Sequence, residues 1–176
     1  DWSRVDLWWG DERFLPLGHA DRNETQAREA LLDSLPLDPK RIHPMPPSDG
    51  PDGDDAAAAA ARYAAEWTAA TPHIDVVLLG VGEDGHVASL FPGHPGLAET
   101  GVAAGVQNSP KPPPTRVTLT LPTINAADEV WLIVTGADKA GPVASAIRGG
   151  SDLPCAQVHG TTRTLWLIDK AAAADL

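Results

Sequence analysis

An acid and a histidine lie two residues apart in this sequence, at Asp84 and His86. A histidine exchanges a proton near neutral pH more readily than any other side chain. A carboxylate beside it can orient the ring or raise its basicity. The pair therefore predicts acid–base chemistry, with His86 as the base and Asp84 as its partner. The alternative without function is a surface histidine in a flexible turn.

The pair follows a stretch of strand length, residues 74–79, whose last four residues form an apolar run, and a turn that contains Gly80, Gly82 and Gly85. An unbroken apolar run is typical of a buried parallel strand. Glycines allow the backbone to approach a ligand closely. Because sites on open α/β sheets form beyond the carboxyl ends of strands, this arrangement predicts a site at His86.

The turn also matches the dinucleotide-binding pattern G-x-G-x-x-G from Gly80 to Gly85, with Glu99 about twenty residues further on. Two features count against a dinucleotide. Glu83 and Asp84 would place negative charge where the pyrophosphate should lie. Pro92 cuts short the helical stretch whose dipole should bind the phosphate.

A metal site and a serine hydrolase are two further interpretations of the same turn. Asp84 and His86 are two metal-ligand types at close spacing and His94 lies nearby, but a third and fourth ligand at motif spacing are not visible, so we expect no dedicated zinc site. A serine hydrolase needs the pattern G-x-S-x-G, which the sequence lacks. The single cysteine, Cys155, is expected to be a small packing residue.

The remaining patterns predict strands that alternate with helices. The predicted strands are residues 5–9, 42–45, 74–79, 102–106, 117–121, 129–135 and 164–168, and the predicted helices are residues 22–35, 54–70 and 137–147. Strands separated by helices favour a right-handed α/β fold layered as helix, sheet and helix. We therefore expect one α/β domain over residues 1–176, with helices on both faces of a mostly parallel sheet.

Composition limits the partners. Apolar residues make up 43% of the chain and charged residues 21%, which is typical of a globular protein. The net charge of −11 argues against nucleic acid as a partner, because a binder of nucleic acid carries a basic face. No apolar run approaches the ~20 residues of a membrane helix, and no signal-peptide pattern is present. We therefore expect no membrane partner and a cytoplasmic location.

Three long stretches carry a resemblance to a known family, and they occur in the family's order. They are Trp9-Gly10-Asp11-Glu12-Arg13, Leu79 to Gly93 with its Gly-Val-Gly-Glu-Asp-Gly-His core, and Ser109 to Pro122 with its Lys-Pro-Pro-Pro arm. These stretches resemble 6-phosphogluconolactonases, of the glucosamine-6-phosphate isomerase/6-phosphogluconolactonase family. The resemblance continues through Val134–Ala140 to Thr164–Leu167 and so covers nearly the whole chain.

The resemblance implies a Rossmann-like fold and hydrolysis of 6-phosphoglucono-δ-lactone to 6-phosphogluconate in the oxidative pentose phosphate pathway. The related glucosamine-6-phosphate deaminases place a catalytic glutamate five residues after the histidine of the turn, where this chain has Phe91. A deaminase is therefore the second interpretation. A non-catalytic sugar-phosphate-binding domain is a third.

For a lactonase, we assign roles to eight residues. His86 would activate water, Asp84 would orient His86, and backbone N–H groups of the turn around Gly85 would stabilise the oxyanion. Phosphate would bind Arg13, Lys111 and, as a weaker candidate, Arg116, while Asp11 and Asn23 would hydrogen-bond sugar hydroxyls.

No cofactor or metal is expected, and the expected partner is a small-molecule sugar-phosphate lactone. The family's first strand and helix carry a Ser/Gly-rich phosphate loop, which nothing here matches. The first residue is Asp1 rather than methionine. We therefore also expect that a further segment precedes Asp1.

Overall fold

The structure is a computed structural model that describes residues 1–176, and it confirms the α/β class. The strands are β1 (Leu7–Trp8), β2 (Asp11–Arg13), β3 (Ile42–His43), β4 (Val76–Leu79), β5 (Ala103–Val106), β6 (Arg116–Leu119), β7 (Glu129–Val134) and β8 (Arg163–Ile168). The α-helices are α1 (Asn23–Ala30), α2 (Ala56–Ala70), α3 (Leu121–Asn125), α4 (Ala140–Arg148) and α5 (Pro154–Gln157). None of the helices is long and apolar enough to span a membrane.

Strands β4, β7 and β8 form a parallel sheet with β7 in the centre. The register places Leu79 opposite Leu132, which in turn lies opposite Trp166. All three strands were predicted from their apolar runs. Because parallel strands end at the same edge of a sheet, the residues that follow β4 and β7 lie side by side. The glycine turn lies at this edge.

Strands β2, β6 and β5 form a second, antiparallel sheet with β6 in the centre. Here the structure differs from the sequence analysis, which ended a strand at Trp9 and placed Asp11 to Arg13 in the segment after it. Asp11 pairs with Thr118 and Arg13 pairs with Arg116. The triplet of charged residues is a strand because β6 satisfies its backbone groups, a long-range pairing that local composition does not indicate.

Strands β1 and β3 form a short parallel pair. The ring of His43 stacks on Trp8 with 3.9 Å between ring centroids, and His43 Nδ1 lies 2.7 Å from Glu66 Oε1. These contacts give His43 a structural role. A groove of about 470 Å³ separates β1 from β4, and residues of these two strands line it.

Each predicted helix is present, with altered bounds. The predicted helix 22–35 is split into α1 and a 3-10 turn, Leu32–Ser34. Helix α2 begins after Asp55, whose carboxylate accepts the N–H groups of Ala57 and Ala58 and so caps the helix. It packs on the antiparallel sheet, where Gly105 allows contact: a Cβ there would lie 2.7 Å from the Ala56 backbone.

The core joins the antiparallel sheet to the parallel sheet, since one buried cluster includes Val117 and Leu119 of β6 and Val130 and Leu132 of β7. The other face of the parallel sheet is open. Side chains on it are exposed to solvent, with Leu78 at 61%, Ile133 at 46% and Leu167 at 45%. The sequence analysis expected β4 to be buried, and this is wrong for the face that carries Leu78.

Candidate active site

The glycine turn follows β4 directly and is closed by its own backbone. The Gly85 N–H donates to the Gly82 carbonyl at 2.9 Å, and the Gly82 N–H donates to the His86 carbonyl at 2.9 Å. Gly85 has φ of +80°, a conformation that other residues rarely adopt. Since the Gly85 N–H is engaged inside the turn, Gly85 contributes by shaping the turn.

Asp84 and His86 form a pair whose geometry defines the state of the imidazole. Asp84 Oδ1 lies 2.6 Å from His86 Nδ1 and also accepts the His86 backbone N–H at 3.1 Å. Because an ionised carboxylate only accepts, Nδ1 carries the proton in this bond. In the neutral ring, Nε2 then holds a lone pair, which is the requirement for a general base. The His86 side chain is 22% exposed, so solvent reaches it.

The pKa of Asp84 lies below its ordinary value. Burial acts to raise this pKa, but the hydrogen bonds from the His86 ring and backbone oppose burial and outweigh it. Asp84 therefore stays ionised at neutral pH and continues to accept from Nδ1.

The chain after His86 folds back instead of forming a helix. Val87 and Leu90 form an isolated bridge, closed by a 2.9 Å hydrogen bond from the Leu90 N–H to the Val87 carbonyl. The next helical turn begins only at Pro95. A dinucleotide-binding loop would lead into a helix, so the structure agrees with the rejection of that reading. Phe91 is buried against the His86 ring, with 4.6 Å between ring centroids.

Lys111, predicted to bind phosphate, lies beside the turn in an ion pair with Glu83. The hydrogen bond and charge of Lys111 lower the pKa of Glu83, and those of Glu83 raise the pKa of Lys111. Lys139, just beyond β7, pairs with its neighbour Asp138, and its charge also lowers the pKa of Glu83. Sequence reasoning missed Lys139, although its position just beyond β7 matches that of the glycine turn beyond β4.

The other predicted ligand residues lie on β2, α1 and β6, where they contact one another. Arg13 Nη1 donates to the Asp21 carbonyl at 2.8 Å. Asn23 Nδ2 donates to the carbonyl and to Oδ1 of Asp11, at 2.9 and 3.2 Å. Arg116 is buried and donates to carbonyls of the proline-rich loop, at distances of 2.8 to 3.2 Å. In this ligand-free state Arg116 is engaged with the loop.

Glu12, which sequence reasoning passed over, joins α1 to β2. It is fully buried, and its carboxylate accepts the N–H groups of Asn23 and Glu24 at 2.6 and 2.9 Å. Burial raises the pKa of Glu12, while these hydrogen bonds and the charge of Arg22 oppose the rise. The signal that could have indicated Glu12 was the alternation of a strand, since in β2 the buried Glu12 lies between two partly exposed residues, Asp11 and Arg13.

Helix α5 and the preceding residue, Leu153, pack against the glycine turn. The Cys155 N–H donates to the Gly85 carbonyl at 3.0 Å, and a Cβ on Gly85 would lie 2.9 Å from Leu153. Cys155 is buried, as predicted for a packing residue, and burial raises the pKa of its thiol to about 11. The thiol is therefore protonated at neutral pH and unsuited to act as a nucleophile.

The histidines near the site do not gather around a common point. His94 Nε2 donates to the Gln107 carbonyl at 2.8 Å, and its Nδ1 accepts the Gly96 N–H at 3.0 Å, so both ring nitrogens are engaged. A different group, His73, Asp75 and Asp128, has ligand atoms within 4.8 Å of one another. These three lie at the amino ends of β4 and β7, the opposite edge from His86.

An α/β fold with an Asp–His pair and two lysines at one edge of the sheet is suited to acid–base chemistry on an anionic ligand. Comparison with known proteins assigns the chain to a family. Residues 1–166 match the model described as glucosamine-6-phosphate isomerases/6-phosphogluconolactonase. The chain belongs to this family.

Two bacterial relatives are similar over the whole chain, and both are named 6-phosphogluconolactonase. The one from Streptomyces coelicolor is 59% identical, and the chain spans 72% of its length. The one from Mycobacterium tuberculosis is 47% identical, and the chain spans 75% of its length.

Solved structures of the same family superpose closely. The 6-phosphogluconolactonase of Thermotoga maritima gives a TM-score of 0.87 at 27% identity, over 96% of this chain and 74% of that one. The 6-phosphogluconolactonase of Trypanosoma brucei gives 0.77 at 31% identity, over 95% of this chain and 72% of that one. A monomeric glucosamine-6-phosphate deaminase has the same fold at 19% identity, with a TM-score of 0.74.

Proposed function

We propose that this protein is an enzyme that hydrolyses 6-phosphoglucono-δ-lactone to 6-phosphogluconate, a reaction of the oxidative pentose phosphate pathway. One observation carries the proposal. The Asp84–His86 pair leaves Nε2 of His86 as an accessible base at the sheet edge, in a chain whose relatives at 59% and 47% identity are named for this lactonase activity.

A δ-lactone is an activated ester, so its hydrolysis needs a base for water and a proton for the leaving oxygen. His86 Nε2 takes a proton from water as the water oxygen bonds to the lactone carbonyl carbon. The tetrahedral intermediate then collapses, the bond from that carbon to the ring oxygen breaks, and the imidazolium returns its proton to the ring oxygen. Asp84 keeps the ring in the productive tautomer and stabilises its positive charge, since it is already ionised.

The phosphate needs cations that the acidic chain supplies locally. Arg13, Lys111 and Lys139 are the candidates. Lys111 is held at the turn by Glu83, and the charge of Lys139 acts on the same carboxylate. An ammonium has three N–H donors, so Lys111 can keep Glu83 and still donate to a phosphate oxygen. The Glu83 contact thus holds Lys111 at the glycine turn before the substrate arrives.

Deamination is disfavoured by the neighbour of His86. The side chain five residues on is Phe91, which is 1% exposed and packs against the imidazole. No carboxylate occupies that position, so the second interpretation lacks the group on which it depends.

The direct test is to add the lactone to the purified protein and to measure 6-phosphogluconate formation above spontaneous hydrolysis. We expect saturable turnover. A rate equal to that of the buffer, together with binding of the sugar phosphate, would show a non-catalytic binding domain. Ammonia release from glucosamine 6-phosphate would show a deaminase.

Replacing Lys111 by alanine should raise KM for the lactone about tenfold and change kcat by less than about twofold. The loss is that of one partly exposed, charge-assisted hydrogen bond to phosphate, which solvent weakens. Steady-state kinetics measure both parameters. Lys40→Ala, on an exposed turn, removes the same charge elsewhere and serves as the control. An unchanged KM in Lys111→Ala would remove Lys111 from the phosphate site.

A further inference from the structure

Asp11 receives contacts from three elements at once. Its Oδ2 accepts the Ser89 hydroxyl at 2.7 Å and lies 3.9 Å from Arg116 Nη1. Its Oδ1 accepts Asn23 Nδ2 at 3.2 Å. The side chain is 19% exposed, so most of its surface is covered by these protein groups. Both carboxylate oxygens are therefore engaged with the protein in the ligand-free state.

The first of these contacts reaches the segment that carries His86. Ser89 is completely buried, and its backbone N–H donates to Thr118 Oγ1 at 3.3 Å. Thr118 is the residue opposite Asp11 in the β2–β6 pairing. Ser89 is thus fixed on both its hydroxyl and its backbone to one rung of the antiparallel sheet. Ala88, between Ser89 and Val87, has φ of +49°, a conformation that needs such support in a residue other than glycine.

The second contact reaches the segment that carries Lys111. The Arg116 guanidinium donates to the carbonyls of Pro113, Pro112 and Lys111 at 2.8, 2.9 and 3.2 Å. Prolines have no N–H, so this loop has few backbone donors of its own, and the Ser109 N–H is engaged with the Pro114 carbonyl at 2.9 Å. Arg116 is only 5% exposed, and a buried guanidinium needs a counter-charge, which Asp11 provides.

We propose that Asp11 is a positioning residue that fixes two arms of the site to one point of the antiparallel sheet. The arms are the segment that carries His86, which Asp11 holds through Ser89, and the proline-rich loop that carries Lys111, which Asp11 holds through Arg116. The inference rests on the proposed lactonase function. It gives Asp11 a different role from sugar binding. The distance between the base and the phosphate-binding lysine then depends on a side chain that touches neither the water nor the phosphate.

The two arms predict opposite kinetic signatures. Ser89→Ala frees the segment after His86, so kcat should fall about tenfold with KM within about twofold. Arg116→Lys loses the planar fork that holds the proline-rich loop, so KM should rise about tenfold with kcat within about twofold. Asp11→Asn removes the shared anchor and should change both parameters. General loss of structure would change both parameters in every variant.

Matched controls separate positioning from stability. Thr120→Val removes another fully buried hydroxyl, which donates to the Gly101 carbonyl, and Arg163→Lys alters the fork that binds Glu129 at the opposite edge of the sheet. Both should keep wild-type kcat and KM. Should Arg116→Lys fail to fold, Asp11→Asn leaves Arg116 in place and tests both arms together, since it should change kcat and KM at once.

A measurement without substrate keeps this inference separate from the function. The imidazole nitrogen NMR signals of His86 in the free protein should move in Ser89→Ala and stay in place in Arg116→Lys. If the wild type turns over no lactone, the proposed function fails, while the NMR result still tests the anchoring. Wild-type kcat and unmoved His86 signals in Ser89→Ala would overturn the inference, as would parallel changes of kcat and KM in the two arm variants.

Discussion

His86→Ala is expected to lower kcat for lactone hydrolysis by about 10²–10⁴-fold, the usual contribution of a positioned acid–base group. Alanine removes the imidazole whose Nε2 is the proposed base when Nδ1 is bound to Asp84. The fold should survive, because His86 is partly exposed and its ring contacts are with Asp84 and Phe91. KM should change little, since binding energy comes mainly from the cations that hold the phosphate.

The pH profile adds a second readout for His86. The pKa of Asp84 is lowered, so Asp84 remains ionised as the pH falls through the mildly acidic range. Acidification through that range should therefore leave the Asp84 contact to His86 Nδ1 in place, and any acid-side loss of activity in the wild type should be absent from the residual activity of His86→Ala. The exposed His159→Ala is the matched control and should behave as the wild type. Near-wild-type turnover in His86→Ala would show that another group activates water.

The parts of the site that the sequence predicted are those set by local pattern. An apolar run followed by glycines defines β4 and its turn, and the two-residue spacing brings Asp84 into contact with the ring of His86. The Asp84–His86 pair depends only on residues 82–86, so local sequence rules are sufficient to predict it. The presence of the larger helices followed in the same way from local pattern, although their bounds differ from the predicted ones.

The remaining parts depend on pairings between distant segments. Asp11 reaches Ser89 across 78 positions of sequence, and Lys111 reaches Glu83 across 28. No local pattern indicates that Arg116 would turn toward its own proline-rich loop, because the choice depends on what buries it. The same holds for β2, whose charged residues form a strand only because β6 lies alongside. The residue types indicate which charged and hydrogen-bonding side chains the site contains. Tertiary packing determines which of these side chains remain free to bind a ligand.

Gly82→Ala is expected to lower kcat by at least about 10²-fold while the protein remains folded. A Cβ at this position would lie 2.0 Å from His86 Nδ1, 2.2 Å from His86 Cε1 and 2.7 Å from Asp84 Oδ1. A methyl group and the imidazole cannot both occupy this space. The ring has to rotate away from Asp84, which breaks the bond that fixes its tautomer, and a displacement of about 1 Å in a reacting group can cost 10²-fold in rate.

The same change two residues earlier supplies the control. A Cβ on Gly80 would meet nothing within 4 Å, so Gly80→Ala should retain wild-type kcat. Both variants add one methyl group to the same turn, and neither glycine has a positive φ, so backbone strain does not distinguish them. The clash at Gly82 is with the movable end of a side chain, so circular dichroism and thermal unfolding should resemble the wild type. Full activity in Gly82→Ala would mean that the imidazole does not act from its position against Asp84. A loss confined to Gly82→Ala would link turnover to that one contact, since the side chain displaced by the methyl group is the proposed base itself.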